Sequence, residues 1–96
     1  MNIERQNHVI RLIGMLDSNS APEFDHVAKQ VIEEAPGPIV LDLSEMTYTS
    51  SQGLRIILAL QKGITANGGT LTVRGVQPAV MEVFQMTGFD NVLTIE

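Results

Sequence analysis

Apolar and polar residues change rhythm several times along the chain, and each rhythm predicts an element. Val9-Ile10-Arg11-Leu12-Ile13 reads as a strand, and Gln6-Asn7 supplies a tight turn joining it to Ile3-Glu4-Arg5. A strand pair is therefore expected to open the fold. Phe24, Val27, Ala28, Val31, Ile32 and Ala35 then recur at helical spacing, with Glu23, Lys29, Gln30, Glu33 and Glu34 pointing away. Ser20 followed by Glu23 fits a capping box at the start of this helix, and Pro36-Gly37-Pro38 stops it, because proline lacks the next helical N–H.

Ile39-Val40-Leu41-Asp42-Leu43 does not alternate. Such a β-branched run is expected for a central strand buried on both faces of a parallel sheet. After a polar interval, Leu54, Ile57, Leu58 and Ile64 form one helical stripe, closed by Asn67-Gly68-Gly69, residues that tolerate positive φ. Leu71 to Arg74 follows as a strand. Pro78 opens a helix in which Val80, Val83, Phe84 and Thr87 share a face and which Gly88 terminates; Val92 to Ile95 is a last strand. The alternation of strand and helix from Ile39 onward predicts an α/β fold with right-handed crossovers and a mainly parallel sheet, the opening pair lying at one side. No repeat, linker or low-complexity tract divides the chain, so residues 1–96 are expected to form one small domain.

Composition narrows the chemistry. With six basic against eleven acidic residues, no Lys/Arg run and four aromatic residues, nucleic acid is not expected as a partner. No cysteine is present, and His8 and His26 have no ligand-like spacing, so neither a metal site nor a cofactor is expected; the composition fits a reducing, cytoplasmic setting. The longest purely apolar run, Ile56 to Leu60, is too short to cross a bilayer, and the first residues lack the pattern of a secretory leader. A soluble, unprocessed chain is the expectation.

The polar interval holds the candidate chemistry. Thr49, Ser50, Ser51, Gln52 and Gly53 lie where strand becomes helix, beside unpaired backbone N–H groups and the positive end of a helix dipole, where an added anion is favoured. Thr49 with Gln52 fits a capping box, and Ser50 or Ser51 can also cap, so these hydroxyls serve at least as a helix start. Phosphorylation is the sharper reading: a phosphate on Ser51 would bring roughly 1.5 to 2 negative charges, and Arg55, one turn on, either holds it or is an ordinary solvated arginine. Gly53 in the first turn weakens the helix, which points either to a close partner or to tight packing on the preceding loop. Ile56, Ala59 and Leu60 widen the apolar arc beyond one buried stripe, making the helix either deeply buried or a partner surface; Met46, Met81 and Met86 either extend that surface or fill the core.

Val40-Leu41-Asp42-Leu43-Ser44 followed by Tyr48-Thr49-Ser50-Ser51-Gln52-Gly53-Leu54-Arg55 resembles the signature of the STAS domain, the family of sulphate transporter and anti-sigma factor antagonist domains. Gly14-Met15-Leu16-Asp17, Gly69-Thr70-Leu71 and Met86-Thr87-Gly88-Phe89 extend the resemblance over nearly the whole chain. It implies a STAS-like mixed, mainly parallel sheet with helices packed on it, and it places the chain near the stand-alone bacterial anti-sigma factor antagonists. In those relatives a serine kinase that is also an anti-sigma factor phosphorylates one serine at this helix start. Aligned on Gly53-Leu54, the family's Asp-Ser-Ser/Thr-Gly-Leu pattern puts Ser51 at the acceptor position and Ser50 where the aspartate usually stands; Asp17 matches the polar residue beside the site.

The implied function is a switch, not catalysis. A Gly-x-Ser-x-Gly elbow is missing around Ser51, with Thr49 two residues before it, and neither a dinucleotide fingerprint nor a phosphate-loop lysine follows the Ile39 strand. The kinase would bring the nucleotide and magnesium. The expected partner surface comprises Asp17, Thr49, Ser50, Gln52, Gly53, Arg55, Ile56 and Leu60, whereas Leu58 is expected in the core. Ser50 in place of aspartate keeps a second reading open: a non-phosphorylated adaptor in a transport-associated or sensory complex.

Overall fold

The computed structural model describes residues 1–34 and 37–96. A hairpin of β1 (Asn2–Gln6) and β2 (Val9–Leu16) opens the fold, followed by α1 (Ala21–Glu34), β3 (Pro38–Thr49), α2 (Ser51–Ala66), β4 (Thr70–Arg74), α3 (Pro78–Thr87), a short 3-10 turn at Phe89–Asn91, and β5 (Thr94–Ile95). The sheet runs β1-β2-β3-β4-β5; β1 is antiparallel to β2 and every later pair is parallel. The predicted mixed, mainly parallel α/β sheet is thus the observed one, with β3 at its centre.

Most boundaries fall where the residues demand. Gly88 closes α3 in the left-handed region, φ 79°, its N–H bonding back to Phe84 and Gln85, and Gly68 at φ 85° follows α2. Other details differ. The hairpin turn sits one residue later than expected, at Asn7-His8, with Asn7 at φ 56°. The Ser20–Glu23 capping box does not form, because the Ser20 hydroxyl turns back to donate to Met15 O at 2.9 Å and accept from Asp17 N at 3.0 Å. The last strand is only Thr94–Ile95, since the 3-10 turn uses up the chain before it, and Thr87 is exposed on α3, its hydroxyl bonded to Val83 O. Ala35 of the predicted stripe and Pro36 of the predicted stop lie outside the described residues.

The sheet's two faces have different fates. Right-handed crossovers between parallel strands in sequential order put every intervening helix over the same face. Ile10, Leu12, Ile39, Leu41, Leu43, Leu71 and Val73 point into that helix-covered face and are buried, whereas Val9, Val40, Thr72 and Arg74 alternate outward and stay half-buried. β3 is therefore covered by helices on one face only, which corrects the expectation that its dense apolar run is sandwiched. It also runs six residues past Leu43, to Thr49, because β2 continues beside it through register shifts that place Leu16 opposite Thr49.

On the open face one row crosses four strands: Glu4, Arg11, Asp42 and Arg74 are direct register partners. Asp42 is buried there beneath two arginines, its Oδ2 at 3.5 Å from Arg11 Nε and 3.6 Å from Arg74 Nη2. Burial pushes its carboxyl up, but the Ser44 backbone N–H at 2.9 Å, the Ser44 hydroxyl and then the two guanidinium charges outweigh that and hold it below the usual carboxylate range. A pKa below the unfolded value means stability that is present at neutral pH and disappears as pH falls through the folded value. Asp42→Asn is expected to cost about 1–2 kcal/mol at pH 7, since the half-exposed arginines can rehydrate. Urea denaturation at pH 7 and pH 3 checks this; the gap between wild type and variant should narrow at pH 3, and an undiminished gap would show that the carboxylate charge is not the cause.

Candidate functional site

α1 and α2 pack on each other, and two contacts fix how α2 sits. Gly63 faces Ile32 so closely that an added Cβ would lie 2.5 Å from Ile32 Cδ1, and Asn67 Nδ2 donates to Ile32 O at 2.8 Å. At the other end, Ser50 N donates to Leu16 O at 2.8 Å, joining the α2 start to the end of β2. Gly53 lies beneath this junction, and a Cβ there would meet Leu16 Cγ at 2.6 Å, Leu16 Cδ2 at 2.7 Å and Thr49 Oγ1 at 2.8 Å. The glycine in the first turn is thus explained by close packing on Leu16 and Thr49.

The cap is Ser50, whose Oγ accepts from Gly53 N at 3.1 Å while its carbonyl accepts from Leu54 N. Thr49 does not cap: it is buried as the last residue of β3 and donates its hydroxyl to Ser50 O at 3.2 Å, so the Thr49–Gln52 capping box is not made. Ser51, the first residue of α2, and Gln52 are exposed. No acidic residue occupies the first turn of α2, so no carboxylate there offsets the positive helix end beside Ser51. Arg55 is exposed one turn later and joins no ion pair among the described residues.

At about 100° per residue, Ser51, Arg55, Leu58, Ala59 and Lys62 share the outward face of α2, opposite the buried stripe Gly53, Leu54, Ile57, Leu60 and Ile64. Two assignments are therefore reversed. Leu60 is fully buried and belongs to the core, so it cannot touch a partner; Leu58 is half-buried and flanks Arg55. Ile56 is half-buried against the core cluster. Of the methionines, Met46 is core, Met81 packs partly against it, and Met86 is exposed far along the chain on α3. Thr49 and Gly53 shape the surface from beneath and do not form it.

Asp17 directly follows β2, next to Leu16, whose carbonyl accepts from Ser50 N at the α2 start. Its Oδ1 accepts from Asn19 N at 2.9 Å, Ser20 N at 3.2 Å and the Ser20 hydroxyl at 3.3 Å. The Asn19 and Ser20 backbone bonds, more than the Ser20 hydroxyl, lower its pKa, so the loop presents a carboxylate that stays ionised. Met15 and Tyr48, absent from the sequence-based site, are direct register partners at these strand ends and stand 50% and 47% exposed. Strand parity carried past Ile13 places Met15 outward with Val9 and Arg11, whereas on β3 the alternation lapses after Leu41 and conceals Tyr48.

Known proteins share this chain's family and fold. The family model described as Mlab, STAS domain matches residues 1–95, and the chain belongs to the STAS domain family. It is 30% identical over 84 residues to BtrV of Bordetella bronchiseptica, which is classed with the anti-sigma factor antagonists; the match spans 88% of this chain and 72% of that protein. Among solved structures, the phosphorylated form of SpoIIAA from Bacillus superposes with a TM-score of 0.74 at 21% identity, covering 99% of this chain and 89% of that one. A sulfate transporter family protein from Wolinella succinogenes superposes with a TM-score of 0.77 at 21% identity, over 90% and 70% of the two chains. Among the described residues no helix is long and apolar enough to cross a membrane.

Proposed function

We propose that this chain is an anti-sigma factor antagonist-type regulator that binds a serine kinase anti-sigma factor through the outward face of α2 and is released when Ser51 is phosphorylated. The observation that carries this reading is the α2 start itself: Ser51 is exposed at the first helical position, on a helix end with no acidic residue in its first turn. A phosphate there gains the helix dipole and is one turn from Arg55, while adding charge to the surface a partner must cover. Ser50 leaves the helix start intact under either reading. It supplies the cap that an aspartate would supply, without setting a carboxylate next to the phosphate.

Asp17, Ser50, Gln52, Arg55 and Ile56 remain the proposed contact residues, with Leu58 taking the place of Leu60. The chain acts as a binding module without catalysis or a cofactor of its own, in the cytoplasm where its kinase holds ATP and magnesium. Incubation with the cognate kinase and ATP is expected to modify Ser51, seen by phosphopeptide mass spectrometry, and Ser51→Ala should bind but not be released. Ser51→Asp should weaken binding about 10-fold or more, by the cost of burying an unpaired charge. A chain that stays unmodified and bound would sink the switch. It would favour a constitutive adaptor in a transport-associated complex, a reading supported by the neutral cap at Ser50 and by the likeness to a sulfate transporter family protein.

A further inference from the structure

We infer that Met15 and Tyr48 form an apolar ledge that seats an apolar side chain of the partner, flanked by arginine or lysine side chains that pair with Asp17 and Glu23. The inference rests on the proposed function and adds a second contact area to it, outside α2.

Two large apolar side chains directly opposite one another, each about half exposed, are not what an ordinary solvated strand end presents. Their chemistry suits recognition. Methionine adapts its unbranched chain to the shape it meets, and tyrosine offers a rigid ring with a polar tip, the combination enriched where binding energy concentrates. The pair adjoins the α2 start through two links: Leu16, next to Met15, accepts from Ser50 N, and Thr49, next to Tyr48, is buried against Gly53. The ledge lies on the sheet's open face, so a partner covering both it and Ser51 wraps around the strand ends beside the α2 start.

Charge selects the occupant. Met15 lines a shallow depression of about 420 Å³ together with Met1, Asp17, Asn19, Ser20 and Glu23, in which two carboxylates outnumber the one N-terminal ammonium of Met1, itself near enough to help lower the Asp17 pKa. Asp17 holds its loop with Oδ1, and its Oδ2 accepts no hydrogen bond among the described residues, leaving that oxygen for an incoming donor. The chain as a whole carries a formal charge of −5. A segment with an exposed apolar residue between basic ones fits this surface, whereas an acidic segment or a phosphate is repelled from it.

The test is titration calorimetry with the purified cognate kinase anti-sigma factor, comparing wild type, Met15→Thr with Tyr48→Thr, Glu23→Lys and Arg55→Glu, each first checked for an unchanged Tm. The ledge variant is expected to raise Kd by about 10- to 100-fold, the range for losing one or two anchor side chains. Glu23→Lys is expected to raise it less and to flatten its dependence on salt. Loss of affinity in Arg55→Glu with a ledge variant that binds as wild type overturns the ledge and leaves the α2 surface standing. Wild type that does not bind overturns the proposed function and the ledge with it. A wild-type dimer that the ledge variant makes monomeric, at unchanged kinase affinity, also overturns the inference and gives the ledge to a second copy.

Discussion

Replacing Leu60 by aspartate is expected to unfold the domain, while the same change at Leu58 leaves it folded and removes partner binding. Leu60 is fully buried in the stripe of α2 that faces the sheet. Truncating such a leucine alone costs about 2–5 kcal/mol, and an unpaired carboxylate in its place adds several more or must stay protonated. A domain of 96 residues has only about 5–14 kcal/mol in total, so the substitution consumes most or all of it. Leu58 is half-buried and is not part of the core cluster, so an aspartate there can turn to water. Circular dichroism at 25 °C and a chemical denaturation series on both variants check this. Equal loss of structure in the two would mean that α2 is rotated from the orientation described.

The exchange of Leu58 for Leu60 shows what one sequence could and could not reveal. Leu54, Ile57, Leu58, Ala59 and Leu60 are apolar almost without a break, and both Leu54-Ile57-Leu58 and Leu54-Ile57-Leu60 are legitimate helical spacings. Periodicity gives the helix but leaves its rotation open, because Leu58 and Leu60 lie two residues, or about 200°, apart around it and either fits the spacing. What fixes the rotation is Gly53 against Leu16 and Thr49, and Gly63 against Ile32, contacts between residues far apart in the chain. Glycine was visible; its neighbours were not.

The same distinction runs through the rest of the molecule. Elements with strong local chemistry were readable: α3 between Pro78 and Gly88, and the end of α2 at Asn67-Gly68-Gly69. So was the mainly parallel order of the sheet, because crossover handedness leaves few topologies. The role of Asp42 is not legible in the sequence, since a carboxylate inside an apolar run shows no partner until Arg11 and Arg74 stand beside it in register. The serine at the α2 start is legible because a helix start has a residue signature, and the Met15–Tyr48 pair is not, because their pairing needs β2 and β3 to run on beyond the apolar runs and β3 loses its alternation there through extra residues.

Gly53→Ala is expected to destabilise the domain, and it links stability to the switch. Alanine in a helix is favoured over glycine by about 1 kcal/mol, so propensity alone predicts a gain. Packing opposes it: the new methyl would sit 2.6–2.8 Å from three atoms, two of them in the fully buried Leu16 side chain, which has no room to yield. Overpacking of this kind costs about 1–3 kcal/mol or more before the propensity gain is subtracted, and each kcal/mol of net loss lowers Tm by about 4–8 °C in a domain of this size. Relief requires the first turn of α2 to move off the Leu16–Thr49 junction, carrying Ser51 with it, so phosphorylation of the variant should slow even at temperatures where it is fully folded. Leu16→Ala reopens the space at a cost of its own. In a double-mutant cycle the Gly53→Ala penalty should therefore be smaller in the Leu16→Ala background by about 1 kcal/mol or more, whereas strict additivity would place the clash elsewhere.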